Sequence, residues 1–531
     1  MNWTPSEVPR LWRFHLHYHE AILDIADLLG DDAAWRIIRS WLADPRTQSP
    51  DLDPDTWHPF CISQRLPNWM ILASRDVPTD IADPFWISVA KQIDWLWRHP
   101  ETDLGGNHLL ENLRALAIAD AALDVSDVID RDRLWRWIDS ELDEQILASG
   151  EHFERTPTYH ALMTFAVLEI ALANRSVQRS TKCDSSFSNM LQWGKQVLHP
   201  DGKIPLLGDS VFGETPSIPQ MDSFSRRHQT PTLKQLTVKA VNDYWIQRST
   251  NGKDFLVFDH GEIGCDHLPA HGHADLFNFE LSVDGRRFIV DTGTFDYEDS
   301  ERRKIARSSA AHNVCVVDQQ DHADVWSRFR MGRRGHVQHS TTGQTNQFRW
   351  IVCAHDAYRH LGVPLSYRLV ACRHGDNPLS DLFVIDWHTG DQRHRMTSYL
   401  HLAPGIAVDE SNSRSGEGCP SYQVHWDHLS FVDGCEQATA SQMPIRTIVF
   451  SGDASVAVAD SEYYPDFGVA LRNQTIRATC EADKWQTMGY CLTEGIQAWD
   501  CSIDTATSNL QLSWKRFNES EQQQVCIELQ T

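Results

Sequence analysis

The hydrophobic period of this chain changes once, near Asp254, and that change narrows the possible folds more than any other feature. Upstream, apolar residues recur at helical steps. In DRLWRWIDSELDEQIL, Leu134, Ile138, Leu142 and Ile146 stand four apart, one stripe of an amphipathic helix. PFWISVAKQIDWLWRH and TYHALMTFAVLEIALAN are spaced alike, and roughly eight to ten such segments follow one another with short breaks. Downstream, Phe277, Phe279, Leu281 and Val283 alternate with polar residues, the period of a half-buried strand. Asp284-Gly285 is a tight-turn dipeptide, and the alternation resumes at Phe288 and Val290. DFLVFDHGEIG, HNVCVVD, DLFVIDWH and IRTIVFSG continue the strand pattern.

A chain of 531 residues exceeds what one core usually serves. The fold class expected is α+β multidomain. Residues 1–240 form a helical domain, as a barrel or layered pairs, and residues 241–531 an antiparallel β-sandwich. GETPSIPQMDSFSRRHQTPT, at the junction, reads as a linker or long loop from its Pro, Ser and Thr content. ESNSRSGEGCPS reads as a polar loop within the β half.

The formal net charge of -25 excludes a general nucleic-acid-coating surface. The 20 Trp are expected mainly in the core, with some faces open to stack on sugar rings. Twelve cysteines without a C-x-x-C pair read as free buried thiols rather than a disulfide framework. No apolar run approaches the ~20 residues of a membrane span, and no signal peptide is evident at the N-terminus. The expected location is cytoplasmic, or periplasmic or secreted if the N-terminus is processed.

Three constellations carry chemistry. In LPAHGHADLFNFELSVDGRRFIVDTG, the turn at Asp284-Gly285 brings Asp291 opposite Asn278, at the end of the hairpin where His273 lies. His312 precedes another strand, so His273, Asp291 and His312 can converge on a Zn²⁺. His271 is either a fourth ligand or a base facing a cleft, and Gly272 permits either geometry. In GGNHLLEN, Gly105-Gly106 turns into a helix with Leu109, Leu113 and Leu116 as its buried stripe. Asn107, Glu111 and Arg114 share another face, and Asn107 and His108 sit at the N-terminus, where an anion is favoured. In ERTPTYHALMTF, Tyr159 opens a helix after Pro157; near cations its phenol could shuttle a proton. RFRMGRRG, from Arg328, reads as a charged sheet edge, with a substrate cleft as the other reading.

GNHLLENLRALAIA, ERTPTYH, PDGKIPLLGDS, HGHADLFNFELSVDGRRFIVDTGTFDY, RSSAAHNVCVVDQQD and YLHLAPG together, in this order, resemble the heparinase II/III-like polysaccharide lyases. The resemblance runs from LWRFHLHYHEAI to well inside the β half. It implies an N-terminal incomplete (α/α) toroid followed by the sandwich, and β-elimination on an acidic, uronic-acid-containing polysaccharide. It implies that Asn107, helped by His108, neutralises the uronate carboxylate, that Tyr159 is an acid or base, and that His271 reaches the cleft. His273, Asp291 and His312 then match structural zinc ligands, and Gly272 lets His271 point away from them. Glu111 matches a positioning residue, and Arg114 shares its face. The family often places a tyrosine shortly before AHN; here Lys304 and Ile305 occupy that stretch, and Tyr297 is the substitute expected. Relatives without a signal peptide point to the cell's own exopolysaccharide as substrate. Two other functions are compatible with the sequence: a non-catalytic glycan-binding or exopolysaccharide-assembly protein, and a glycoside hydrolase using Asp103 and Glu111 as its carboxylates.

Overall fold

A computed structural model describes residues 2–180, 182–228, 243–410, 420–426, 446–517, 519 and 521–529. The chain divides into two compact units. One comprises Met1–Glu154, Tyr159–Trp193 and Thr215–Val238; the other comprises Arg155–Thr158, Gly194–Glu214 and Lys239–Thr531. The short stretches 155–158 and 194–214 belong to the second unit.

The first unit is built of α-helices packed on one another. Asp130 accepts from the Arg133 backbone N–H and starts Arg131–Gln145, where Leu134, Ile138 and Leu142 are buried as their spacing requires; Ile146 lies just past its end. Trp35, Trp41, Trp69 and Phe85 fill the interior, with Trp41 and Trp69 edge to face at 5.1 Å. Arg65 is fully buried among them. It donates to the Gln92 side chain and to the His17 and Thr56 carbonyls, which compensates its desolvation. The stretch read as a linker contains a helix, Ile218–Arg227. A capping box between Ser217 and Gln220 and a proline in the first turn start it, so residues that elsewhere mark loops here mark a helix N-terminus.

The second unit is antiparallel β-structure. Its largest sheet has eight strands, in the order Ile406–Glu410, Ser421–Trp426, Arg446–Phe450, Met488–Thr493, Asp381–His388, Ser366–Arg373, Phe348–His355 and Val337–Gln344. One face packs on two four-stranded sheets through Leu281, Phe279, Val370, Val384, Leu400 and Tyr490. The sandwich expectation stands, with one addition. A three-stranded sheet (Ile496–Asp504, Asn509–Arg516, Gln523–Glu528) covers the other face through Trp387, Phe383, Trp499 and Trp514. Asp381–His388 is therefore buried at all eight positions rather than alternately. ESNSRSGEGCPS lies almost wholly outside the described residues. The described cysteines are free thiols, most of them buried.

The hairpin Phe279–Val283/Arg286–Ile289 turns at Asp284 (φ 51°) and Gly285 (φ 82°). Its far end is stapled by Asn313, which donates to the Phe279 and Val290 carbonyls and accepts from the His401 backbone N–H.

Candidate active site

In the helical unit, Gly105 and Gly106 take left-handed conformations (φ 65° and 55°) that drop the chain into the helix Gly106–Ala122. Asn107 and His108 lie in its first turn. The Asn107 side-chain amide donates to both oxygens of Glu154 (3.0 and 2.9 Å), and its backbone N–H donates to the same carboxylate (2.9 Å). A carboxylate only accepts, so the amide nitrogen must face it. Asn107 Oδ1 is thereby turned the other way, buried and without a hydrogen-bond partner.

His108 bonds through Nδ1 to Glu101 Oε1 at 2.8 Å and packs on Phe60. Burial opposes its protonation, but the Glu101 hydrogen bond and the Glu101, Glu154 and Glu111 charges outweigh burial and hold its pKa above the ordinary imidazole value. Glu101 shifts down: its burial is outweighed by His108, His58 and Asn112.

Glu111 and Arg114, expected to position substrate, are 1% and 4% exposed and paired with each other at 2.7 Å. Arg114 also donates to Glu169 and Gln64, and Gln64 to Glu111. These polar atoms are spent inside the helical packing. Burial first, then the Glu169 charge, raises the Glu111 pKa against the pull of Arg114. Asp103 is exposed while Glu111 is buried beside a cation, so the two do not form the facing carboxylates of a hydrolase. Tyr159 is half-buried in the first turn of Pro157–Val177. Its neighbour His160 is a core residue, bonded to the Met190 carbonyl at 2.9 Å, and burial lowers its pKa to about 3.

In the sheet unit the organising group is Asp209, which sequence reasoning passed over within PDGKIPLLGDS. It is fully buried. One oxygen pairs with His271 Nδ1 at 3.0 Å and the other with His273 Nε2 at 2.8 Å. Arg303, 1% exposed, donates to both oxygens. Burial alone would raise the Asp209 pKa; Arg303 and the two imidazoles outweigh it and hold the carboxyl well below its usual range. The two histidines are thus not divided by a hinge at Gly272, as expected. They share a carboxylate. Gly272 has an ordinary extended conformation (φ -74°), and a Cβ there would meet Ile263 Cγ2 at 3.0 Å, so the glycine serves close packing.

His271 is 8% exposed, with ring centroids 6.2 Å from Tyr297 and 6.1 Å from Phe329. Tyr297 lies under the Arg303 guanidinium at 4.9 Å. Lys304 and Ile305 are on the exposed side of the Glu301–Arg307 helix.

Asp291 meets Asn278 at 2.5 Å, as the hairpin register implied, and His312 Nδ1 at 2.6 Å. The His273 and His312 rings are 5.2 Å apart. Burial lowers the His273 pKa to about 4 despite Asp209, whereas His312 is raised because Asp291 outweighs burial. His273 Nδ1 and His312 Nε2 are buried without partners. Among the described residues no group of three or more His, Cys, Asp or Glu side chains is already gathered as a metal cluster.

Glu154, like Asp209, was missed. Its only signal was its place in ERTPTYH, three residues before the proline that starts the Tyr159 helix.

The Heparinase II/III N-terminus model matches residues 11–226, and the Heparinase II/III-like, C-terminal model matches residues 236–514. A heparin-sulfate lyase of Pedobacter heparinus is 23% identical over 362 residues, covering 60% of this chain and 53% of that protein. A heparin-sulfate lyase of Bacteroides thetaiotaomicron is 22% identical over 383 residues, covering 60% and 54%. The chain thus spans about half the length of the curated relatives it matches. In structure it is similar to Heparinase III (TM-score 0.74, 15% identity, covering all of this chain and 85% of that one). It is also similar to the heparan sulfate lyase HepC of Pedobacter heparinus (TM-score 0.63, 18% identity, 99% and 84%). At these identities the structures show a shared fold. The two family models account for nearly the whole length between them, and the chain belongs to the heparinase II/III-like family.

Proposed function

We propose that the chain is a polysaccharide lyase that cleaves a uronic-acid-containing polysaccharide by β-elimination. Family membership and the two heparin-sulfate lyases among its relatives support this reading. The observation that carries it is the His271–Asp209 pair. Asp209 accepts from Nδ1–H, which fixes the tautomer and puts the basic lone pair on Nε2. A rigidly held imidazole is a suitable base for a carbon acid.

In the proposed reaction, His271 takes the proton from C5 of the uronate. The C–H electron pair forms the C4=C5 double bond, the C4–O4 bond breaks, and Tyr159 protonates O4. As the proton leaves C5, charge from the C–H pair spreads onto the uronate carboxyl before the C4–O4 bond breaks. His108, whose protonated form Glu101 favours, balances that charge. Asn107, its amide nitrogen turned to Glu154, keeps Oδ1 as an unpartnered acceptor for the protonated form of that carboxyl, which is the neutralised form elimination requires. Tyr297, beside His271, orients the sugar. Glu111 and Arg114 act through the helix, by holding the turn that carries Asn107 and His108.

His273, Asp291 and His312 would hold a structural Zn²⁺. The donor types fit, and the two unpartnered imidazole nitrogens give the reading its support. Bound zinc would neutralise the buried Asp291 charge and fix the loop before the hairpin.

The test is incubation with a panel of uronic-acid polymers while following the ultraviolet absorbance of the unsaturated uronate. Product is expected from at least one polymer. New reducing ends without that absorbance would refute elimination in favour of hydrolysis, and binding without any cleavage would favour a glycan-binding protein. A cell-surface or assembly polysaccharide belongs in the panel, since the substrate proposed for a chain like this includes exopolysaccharide.

A further inference from the structure

The arginine-rich RFRMGRRG segment does two jobs. Arg333 donates to the Ala357 carbonyl and to Asp324, and Arg334 to the Ile263 and Cys265 carbonyls and to Asp266. Those two guard and fasten the edge, as the sequence suggested. Arg328 and Arg330 do not. They lie at the tip of a two-stranded hairpin, Ala323–Trp326 paired with Arg330–Arg334, where Trp326 is opposite Arg330.

The tip is unusual in three respects. It exposes aromatic surface: Trp326 is 57% and Phe329 38% exposed. Its cations are poorly paired among the described residues, although the chain holds 73 Asp and Glu against 48 Lys and Arg. Arg330 stacks over Trp326 at 6.0 Å and makes no ion pair among the described residues, and Arg328 reaches only Glu298, at 3.7 Å. Finally, its backbone is gripped from below. Buried Arg303 donates through Nε and Nη2 to the Arg328 carbonyl, and buried Arg307 donates to the carbonyls of Ser327, Arg328 and Arg330. Arg303 is the residue that also clamps Asp209, the partner of His271. The Phe329 ring is edge-on to the His271 ring. Two buried cations are an expensive way to hold a four-residue tip unless its geometry matters.

We propose that this tip is a subsite for an anionic sugar residue. Trp326 stacks on the apolar face of a pyranose, and Arg328 and Arg330 bind its carboxylate or sulfate. The proposal rests on the lyase reading and deepens it: the bound sugar belongs to the same polysaccharide chain as the uronate at His271, a short step along it. Arg303 sets the subsite and the base in register by holding both.

The experiment uses the full chain with Trp326→Ala, and with Arg328→Gln and Arg330→Gln combined. The control is Arg395→Gln, which removes an exposed cation paired with Glu481 elsewhere on the sheet unit. Kinetics are read on heparan sulfate, chemically desulfated heparan sulfate and polymannuronate, at two salt concentrations. The tip variants should raise KM roughly three- to tenfold with kcat nearly unchanged. The arginine variant should also flatten the salt dependence of KM, and the control should do neither. An effect on all three polymers identifies the bound group as carboxylate; an effect on the sulfated polymer alone identifies sulfate. Affinity electrophoresis of Tyr159→Phe, with and without the tip substitutions, reads binding without turnover. If wild type produces no unsaturated uronate, the lyase reading fails while this arm still decides the subsite. Retardation by the polymers unchanged on tip substitution, or an equal loss in the control, overturns the proposal.

Discussion

Asp209 has two oxygens and four buried donors around it: two imidazoles, a guanidinium and the Thr294 hydroxyl. Asp209→Asn puts an NH₂ group among those donors and leaves Arg303 charged and unpaired. A loss of about 3–5 kcal/mol is expected, from the usual cost of orphaning a buried ion. Urea denaturation reads it; a midpoint equal to wild type would contradict the network. Glu154 makes a subtler prediction. Glu154→Gln keeps the size but offers an NH₂ to the Asn107 amide, so Asn107 is free to turn over. kcat should fall by roughly 10- to 100-fold, with KM much less affected, as for a misaligned charge-stabilising group. A KM effect alone would assign Glu154 to substrate binding instead. Neither residue was legible in the sequence as a partner. Asp209 is 62 positions from His271, and Glu154 is 47 from Asn107, and no local pattern links residues that far apart. His271, His273, Asp291 and His312 stood out because hairpin register is a local property, and it placed Asn278 against Asp291 correctly.

Among the elements, what could be read was what a single period or turn dictates: the amphipathic helices and the Asp284-Gly285 hairpin. The three-stranded sheet was hidden, since a strand covered on both faces loses its alternation; Asp381–His388 is the case in point. The helix Ile218–Arg227 was hidden because its capping residues resemble loop composition. Two glycines test how far local geometry matters. Gly285 has φ 82° and open space where a Cβ would go, so Gly285→Ala should cost only the left-handed strain, about 1 kcal/mol. Gly293 has φ 76°, and a Cβ there would collide with the Tyr464 backbone carbonyl, which cannot yield without moving its strand. Gly293→Ala should destabilise several-fold more than Gly285→Ala. Thermal melts of the two variants that shift equally would remove the distinction.

For the molecule as a whole, the sequence supplied the order of the two halves and the family pattern, while its histidines carry a consequence visible only in the folded state. Burial, the largest cause in each case, lowers His17, His199, His260, His273 and His401 to about 4, and His160 and His322 to about 3. In the unfolded chain all seven return to about 6.5. A base with a lowered folded pKa binds its proton more readily when unfolded, so stability falls as pH drops below about 6.5 and continues falling to about 4. His108 and His312 are raised and act oppositely: their contribution is full below about 6.5 and fades as pH rises through their folded values. Seven outweigh two, and the net charge of -25 only partly offsets them as carboxylates neutralise. The protein should therefore lose stability between pH 6.5 and 4, before its depressed carboxylates such as Asp209 protonate. His160→Gln and His401→Gln, each removing one buried imidazole, should shift little at pH 7.5 relative to their own baseline but flatten the slope of melting temperature against pH in that window. Melting curves across pH 4–8 decide it. A slope in the variants identical to wild type would show that carboxylates, not buried imidazoles, set the acid limit.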